Sequence, residues 1–148
     1  MKKKTNIINS AQLIFPSCSV NESLARSFIS SFMIQVNPTV EDISDIKCAV
    51  SEAVTNSIVH GYSGCVGVIK IKASLTDERI VIIDIIDKGC GIGDVKKAME
   101  PLYTTNTDGE RSGMGFTVME TFTDKIRVYS KVGHGTRVRL VKKIPDNT

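Results

Sequence analysis

The run Ile80-Val81-Ile82-Ile83-Asp84-Ile85-Ile86 constrains the fold more than any other segment, because it is apolar at odd and even positions alike. Successive side chains of a β-strand point to opposite faces, so a short apolar run without alternation predicts a central strand of a sheet. It is the longest apolar run in the chain, far below the roughly 20 residues of a bilayer span, and no membrane segment is expected. The strand is predicted to end at Asp87, where a glycine-rich stretch begins.

Periodicity supplies the neighbouring elements. Thr5 to Phe15, with Ile7, Ile8, Leu13 and Ile14, reads as an opening strand or a bent pair of strands. Ser19 followed three residues later by Glu22 has capping-box form, and Leu24, Phe28, Phe32 and Val36 then recur at helical spacing until Asn37 and Pro38. Thr39 and Asp42 can cap a second helix, whose apolar stripe of Ile43, Ile46, Val50, Val54 and Ile58 runs to Gly61. Val66 to Leu75 alternates, Ile69, Ile71 and Ala73 against Lys70, Lys72 and Ser74. A helix is expected over Gly115 to Thr123, with Phe116, Met119 and Phe122, and a hairpin over Ile126 to Lys131 and Arg137 to Val141, turning at Gly133-His134-Gly135-Thr136. The expected class is α+β, a two-layer sandwich with helices on one face of a mixed, mostly antiparallel sheet. With 148 residues, 41% of them hydrophobic, residues 1–148 fit one domain, and Lys2, Lys3 and Lys4 place a disordered tail at residues 1–4.

Charge and cysteine usage exclude several function classes. The net charge is only +3, and Lys2 to Lys4 form the only dense basic block, so no direct nucleic-acid binding is expected. The start lacks the apolar core of a secretion signal, which predicts a cytoplasmic protein. Cys18, Cys48, Cys65 and Cys90 form no C-x-x-C pair, and only His60 and His134 accompany them, which supports neither a zinc site nor a disulfide framework.

Chemistry concentrates in four places. Glu52, Asn56 and His60 lie at helical spacing on one polar face, beside Ser51, Thr55 and Ser57. Such a face is either solvated surface or a pairing of a proton acceptor with a hard oxygen ligand, as magnesium-dependent phosphoryl transfer uses. Asp87-Lys88-Gly89-Cys90-Gly91-Ile92-Gly93 follows the buried strand, and alternating glycines let backbone approach a ligand closely. It is neither a Walker loop nor a Rossmann turn. Asp87 can cap the loop or accept a hydrogen bond from a base amino group. Arg111-Ser112-Gly113-Met114-Gly115-Phe116 leads into a helix, whose free N–H groups and dipole favour phosphate, and the polar segment Thr104 to Ser112 before it fits a lid. Gly135-Thr136 fits a hairpin turn as well as a site.

The order of these segments, Glu52-x-x-x-Asn56, Asp87-x-Gly89-x-Gly91, Gly113-x-Gly115 and Gly135-Thr136, resembles the N, G1, G2 and G3 boxes of the ATPase/kinase superfamily of DNA gyrase, histidine kinases and mismatch-repair ATPases. Within it, Val50-Ser51-Glu52-Ala53-Val54-Thr55-Asn56, Ile58-Val59-His60-Gly61-Tyr62, Pro101-Leu102-Tyr103-Thr104-Thr105 and Glu110 to Phe116 are similar to the anti-sigma F factor family of spore-forming bacteria. The likeness begins at Asn21-Glu22-Ser23-Leu24-Ala25-Arg26 and covers nearly the whole chain.

That resemblance implies a serine protein kinase that inhibits sigma factor F and uses Mg-ATP to phosphorylate its anti-anti-sigma antagonist, and a homodimer built through the sheet edge. By position, Glu52 would be the general base and Asn56 the magnesium ligand. Asp87 would read the adenine amino group, Gly89 and Gly91 would allow close approach, and Thr136 would support the adenine pocket. Gly113, Met114, Gly115 and Phe116 would offer N–H groups to the phosphates of ATP or ADP. Thr104 and Thr105 would join them from the lid, and Arg111 and Ser112 would reach the terminal phosphates. Arg26, on the first helix away from the nucleotide, would contact both protein partners. The alternatives are a general-stress anti-sigma kinase with another sigma partner and a non-catalytic, nucleotide-dependent sigma-binding module.

Overall fold

The computed structural model describes residues 4–100 and 115–147. Its strands are β1 (Ile7–Pro16), β2 (Val68–Thr76), β3 (Ile80–Asp87), β4 (Lys125–Lys131) and β5 (Gly135–Lys143). They form one five-stranded sheet in the order β1-β2-β3-β5-β4. The expected mostly antiparallel sheet is antiparallel at every described pairing. β3 holds the middle position, as its unalternating sequence predicts. Because β5 lies between β3 and β4, those two strands run in the same direction, and the chain crosses the sheet between them.

The helices are α1 (Asn21–Met33), α2 (Val40–Asn56), the short α3 (Val95–Ala98) and α4 (Gly115–Phe122). α2 packs between α1 and α4. Its Ile46, Ala49, Val50, Ala53 and Val54 are buried, together with Ile29 and Met33 of α1 and Met119 of α4. Facing them are Ile69 and Ile71 of β2, Ile83 and Ile85 of β3, and Leu140 of β5, all essentially excluded from solvent. Burial of each such side chain stabilises the fold by about 1.5–3 kcal/mol, so the apolar stripe of α2 and alternate positions of the strands define the helix layer's contact face. Ile80, Ile82 and Ile86 on the opposite face of β3 are only half-buried.

Asp84, which interrupts the apolar run, sits on that opposite face. It is directly across from Arg139 of β5 and receives two hydrogen bonds from it, at 2.8 and 3.0 Å. A buried carboxylate needs such partners to offset desolvation. The same pairing raises the Arg139 guanidinium above its ordinary range, with burial opposing.

Both helix starts differ in their capping. At α2, Thr39 Oγ1 accepts from the Asp42 N–H and Asp42 accepts from the Thr39 N–H, each at 3.0 Å, which completes the expected capping box. The box read from Ser19 and Glu22 does not form, since α1 starts after Val20 with no side-chain cap. The Glu22 carboxylate instead accepts a hydrogen bond from Ser51 of α2 and lies 3.6 Å from Arg26. An interhelical bond has displaced a local one. β1 is a single strand with an irregularity between Ile7 and Asn9.

Arg79 carries a role that periodicity does not reveal. It turns the chain between β2 and β3 at φ 64°. Its guanidinium donates to the carbonyls of Val36, Ile144 and Pro145, the last two at 3.0 Å. One side chain thereby closes the short turn Ile34–Val36 that follows α1, and the segment after β5, onto the β2–β3 turn. Replacing Arg79 by Ala is expected to lower stability by about 1–3 kcal/mol, read as a lower urea midpoint with an unchanged slope.

Candidate active site

The junction where β3 ends is organised by backbone approach. Gly135 has φ 105°, and a Cβ there would stand 2.1 Å from the Asp87 carbonyl oxygen. A Cβ on Gly89 would stand 2.1 Å from the Gly61 carbonyl oxygen, and one on Gly91, at φ 77°, would stand 2.3 Å from that of Lys131. No side chain fits at these contacts, so the glycines permit three backbone segments to meet. Gly135-Thr136 is therefore not the hairpin turn. It opens β5, with Thr136 directly opposite Asp87 and Ser130.

Hydrogen bonds hold the loop after Asp87 on two sides. The Cys90 N–H donates to Gly61 O at 2.9 Å, the Gly133 N–H to Cys90 O at 2.8 Å, and the Ile92 N–H to Ser130 Oγ at 2.7 Å. Ser130 also lies 2.8 Å from the Thr136 hydroxyl. The Tyr62 hydroxyl accepts from the Lys88 N–H at 2.7 Å and donates to Val68 O at 2.6 Å.

At the centre is the Asp87 carboxylate, in a residue only 5% exposed. Oδ1 accepts from the Gly89 N–H at 2.9 Å and Oδ2 from Ser57 Oγ at 2.7 Å. Gly61 packs against the same group, its Cα leaving room for a Cβ only 3.1 Å from Oδ2. Ser57 was visible in the sequence as one hydroxyl among several on α2. Its partner, thirty residues away in sequence, carries no local signal.

The second centre is one helical turn back. Glu52 and Asn56 project from the C-terminal half of α2 towards the first residue of α4. A Cβ on Gly115 would stand 3.1 and 3.3 Å from the two polar atoms of the Asn56 carboxamide and 3.3 Å from Glu52 Oε2. The absence of a side chain at Gly115 leaves this recess to the carboxylate, the carboxamide and the start of α4. Phe116, the next residue, is buried beneath it. After Asn56 the α-helix gives way to a π-helical turn, Ser57–Gly61.

Arg26, expected away from the nucleotide site, shares a groove of about 460 Å³ with Glu52, Ser51, Lys47, Cys48 and Val118. The groove runs over α1, α2 and α4. Thr104, Thr105, Arg111, Ser112, Gly113 and Met114 lie outside the described residues. The four cysteines are free and exposed. Among the described residues there is no cluster of three or more His, Cys, Asp or Glu side chains able to hold a metal ion, and no helix long and apolar enough to cross a membrane.

The backbone contacts generate a prediction of their own. Gly135→Ala forces a side chain into a positive-φ position against the Asp87 carbonyl, where strained conformations cost about 1–3 kcal/mol before any clash. The variant should unfold at lower temperature than the parent by calorimetry.

Comparison with known proteins agrees with the fold. The profile of the histidine kinase-like ATPase domain family matches residues 15–142. An anti-sigma F factor of Thermoanaerobacter sp. (strain X514) is 53% identical over 136 residues, covering 92% of this chain and 94% of that protein. One from Clostridium botulinum (strain Eklund 17B / Type B) is 54% identical over 136 residues, covering 91% and 94%. Among solved structures, the RsbU and RsbW domains of a Mycobacterium tuberculosis protein share the fold at a TM-score of 0.68, with 20% identity over 92% of this chain and 32% of that one. The histidine kinase domain of a blue-light activated histidine kinase from Erythrobacter litoralis EL346 does so at 0.55, with 17% identity over 83% and 61%. Its motifs, its sheet and its relatives over nearly their full length agree: the chain belongs to the anti-sigma F factor family, within the histidine kinase-like ATPase domains.

Proposed function

We propose that this chain is an anti-sigma factor and protein-serine kinase that holds sigma factor F inactive and transfers the γ-phosphoryl of Mg-ATP to a serine of its anti-anti-sigma antagonist. The observation that carries the reading is the convergence of Glu52 and Asn56 on Gly115, one turn from the site of the anchored Asp87. That spacing along one helix suits a nucleotide whose base lies by Asp87 and whose phosphates lie at the start of α4.

In this reading the serine hydroxyl gives its proton to the Glu52 carboxylate as its oxygen bonds to the γ-phosphorus. The bond from that phosphorus to the β-phosphate bridging oxygen breaks, and ADP leaves. The carboxamide oxygen of Asn56 suits a magnesium ion, which favours hard oxygen ligands and takes few of them from protein when phosphates are present. When bound there, the ion would neutralise phosphate charge. Most of the catalysis is positioning and electrostatic stabilisation. The N–H groups at the start of α4 would donate to phosphate oxygens, and residues 104–114 would complete the lid, with Thr104, Thr105, Arg111, Ser112, Gly113 and Met114 in the roles the resemblance implies. Thr136 would support the base from beside Asp87.

The groove joining Arg26 to Glu52 supports one docking face for the protein partners, because a segment gripped at Arg26 lies on the same surface as the proposed base. A homodimer through the sheet edge is supported by β1, which ends the sheet and leaves Ile7, Ile8 and Ile14 each more than half exposed. We place its activity in the cytoplasm, with its proposed partners, and assign residues 1–148 to one kinase domain.

Two outcomes are expected. Glu52→Ala should bind ATP as the parent does but transfer labelled phosphate to the anti-anti-sigma protein about 10²–10⁴-fold more slowly, the usual worth of a general base. Parental turnover in that variant would remove Glu52 from the mechanism, and no transfer by the parent chain would leave the non-catalytic binding module as the better reading. Arg26→Ala should bind ATP normally while losing sigma factor F in a pull-down, and normal sequestration would exclude Arg26 from the interface.

A further inference from the structure

We propose that Ser57 is a positioning residue for base recognition: its hydroxyl aims the Asp87 carboxylate and thereby sets the preference for a 6-aminopurine over a 6-oxopurine. The inference rests on the reading of Asp87 as the adenine acceptor and goes beyond it, to the group that makes that acceptor selective.

Rotation about the last bond of an Asp side chain is soft, with broad rather than staggered preferences. The protein restrains it at Asp87 from two elements. The glycine loop holds Oδ1 through the Gly89 N–H at 2.9 Å, and the π-helical turn holds Oδ2 through Ser57 Oγ at 2.7 Å. Gly89 alone would leave the carboxylate free to pivot about one anchored oxygen. Ser57 is only 6% exposed, so no bulk water competes for the bond. Each carboxylate oxygen retains a further lone pair after these bonds. The carboxylate therefore stands in one orientation as an acceptor before any base arrives.

A fixed buried acceptor discriminates sharply. A 6-amino group donates to its remaining lone pair, whereas a 6-oxo group sets a second acceptor against it, which is the costly mismatch. If the carboxylate can swing away, that mismatch relaxes and the good match loses its preorganisation. The Ser57 backbone is already committed: its N–H bonds to the carbonyls of Ala53 and Val54, and its carbonyl accepts from the Tyr62 N–H at 2.9 Å. Removing the hydroxyl changes the aim of Asp87 without breaking the turn.

The test is equilibrium binding of Mg-ATP and Mg-ITP to the full chain by calorimetry, for the parent, Ser57→Ala, Ser57→Cys and Asp87→Asn. Ser57→Ala should weaken ATP about three- to tenfold, the worth of one hydrogen bond, and ITP much less, so that the ATP/ITP affinity ratio falls. Ser57→Cys, with a weaker donor in similar space, should fall between and serves if the alanine variant does not fold. Equal weakening of both nucleotides, or an unchanged ratio, would overturn the role of Ser57, since a merely structural residue lowers both alike. Asp87→Asn separates the two levels. A ratio lost there but kept without the Ser57 hydroxyl overturns this inference alone, and a parental ratio in Asp87→Asn overturns the adenine reading beneath it.

Discussion

The meeting of backbones around Asp87 is the constraint on which the rest of the molecule depends. Gly135 of β5 lies against the Asp87 carbonyl, Gly61 of the π-helical turn against its carboxylate, and Gly89 against Gly61 in turn. Through these contacts the end of the central strand, the end of α2 and the start of the last strand come to one point. The backbone approaches themselves leave no room for a side chain at Gly135, Gly89 or Gly91. Position is instead set by hydrogen bonds of definite geometry, from Cys90 to Gly61 and from Gly133 to Cys90. A rigid node of this kind lets residues distant in sequence keep fixed relations to a ligand.

α2 transmits that placement. Its apolar stripe is buried against the sheet and its neighbours, so its rotation about its own axis is fixed by the core. Its opposite edge must then present Glu52 and Asn56 in the direction observed, towards Gly115. The π-helical turn adds a local change of pitch just where the helix passes from one end of the proposed nucleotide site to the other, and such turns recur at functional sites. Asn56 faces one end and Ser57 the other. The stabilising core and the proposed reactive surface are thus two sides of one helix.

Much of this was legible in the amino-acid sequence because the signals are local. The Thr39–Asp42 capping box, the stripe from Ile46 to Val54 and the unalternating β3 each depend on residues within a turn or two. What escaped depends on partners far away in the chain. Glu22 has the spacing of a cap yet bonds to Ser51 on another helix. Arg79 carries no local signal, and its three carbonyl acceptors lie in segments that only the folded chain brings near. Gly135 reads as a turn glycine, but its neighbour is Asp87, across a strand pairing that no spacing rule announces. Ser57 belongs to the same class. The site boxes were recognisable by their order, whereas the contacts that orient them are tertiary.

The strand order has a consequence for the middle of the sheet. Among the described strands β5 is last in sequence, and it lies between two that precede it. Without residue 135 and its successors, β3 would lack its partner on one side and Asp87 the backbone that walls it. A chain lacking β5 would therefore present β3 as an open, largely apolar edge, and the pairing that covers this edge joins segments far apart in sequence.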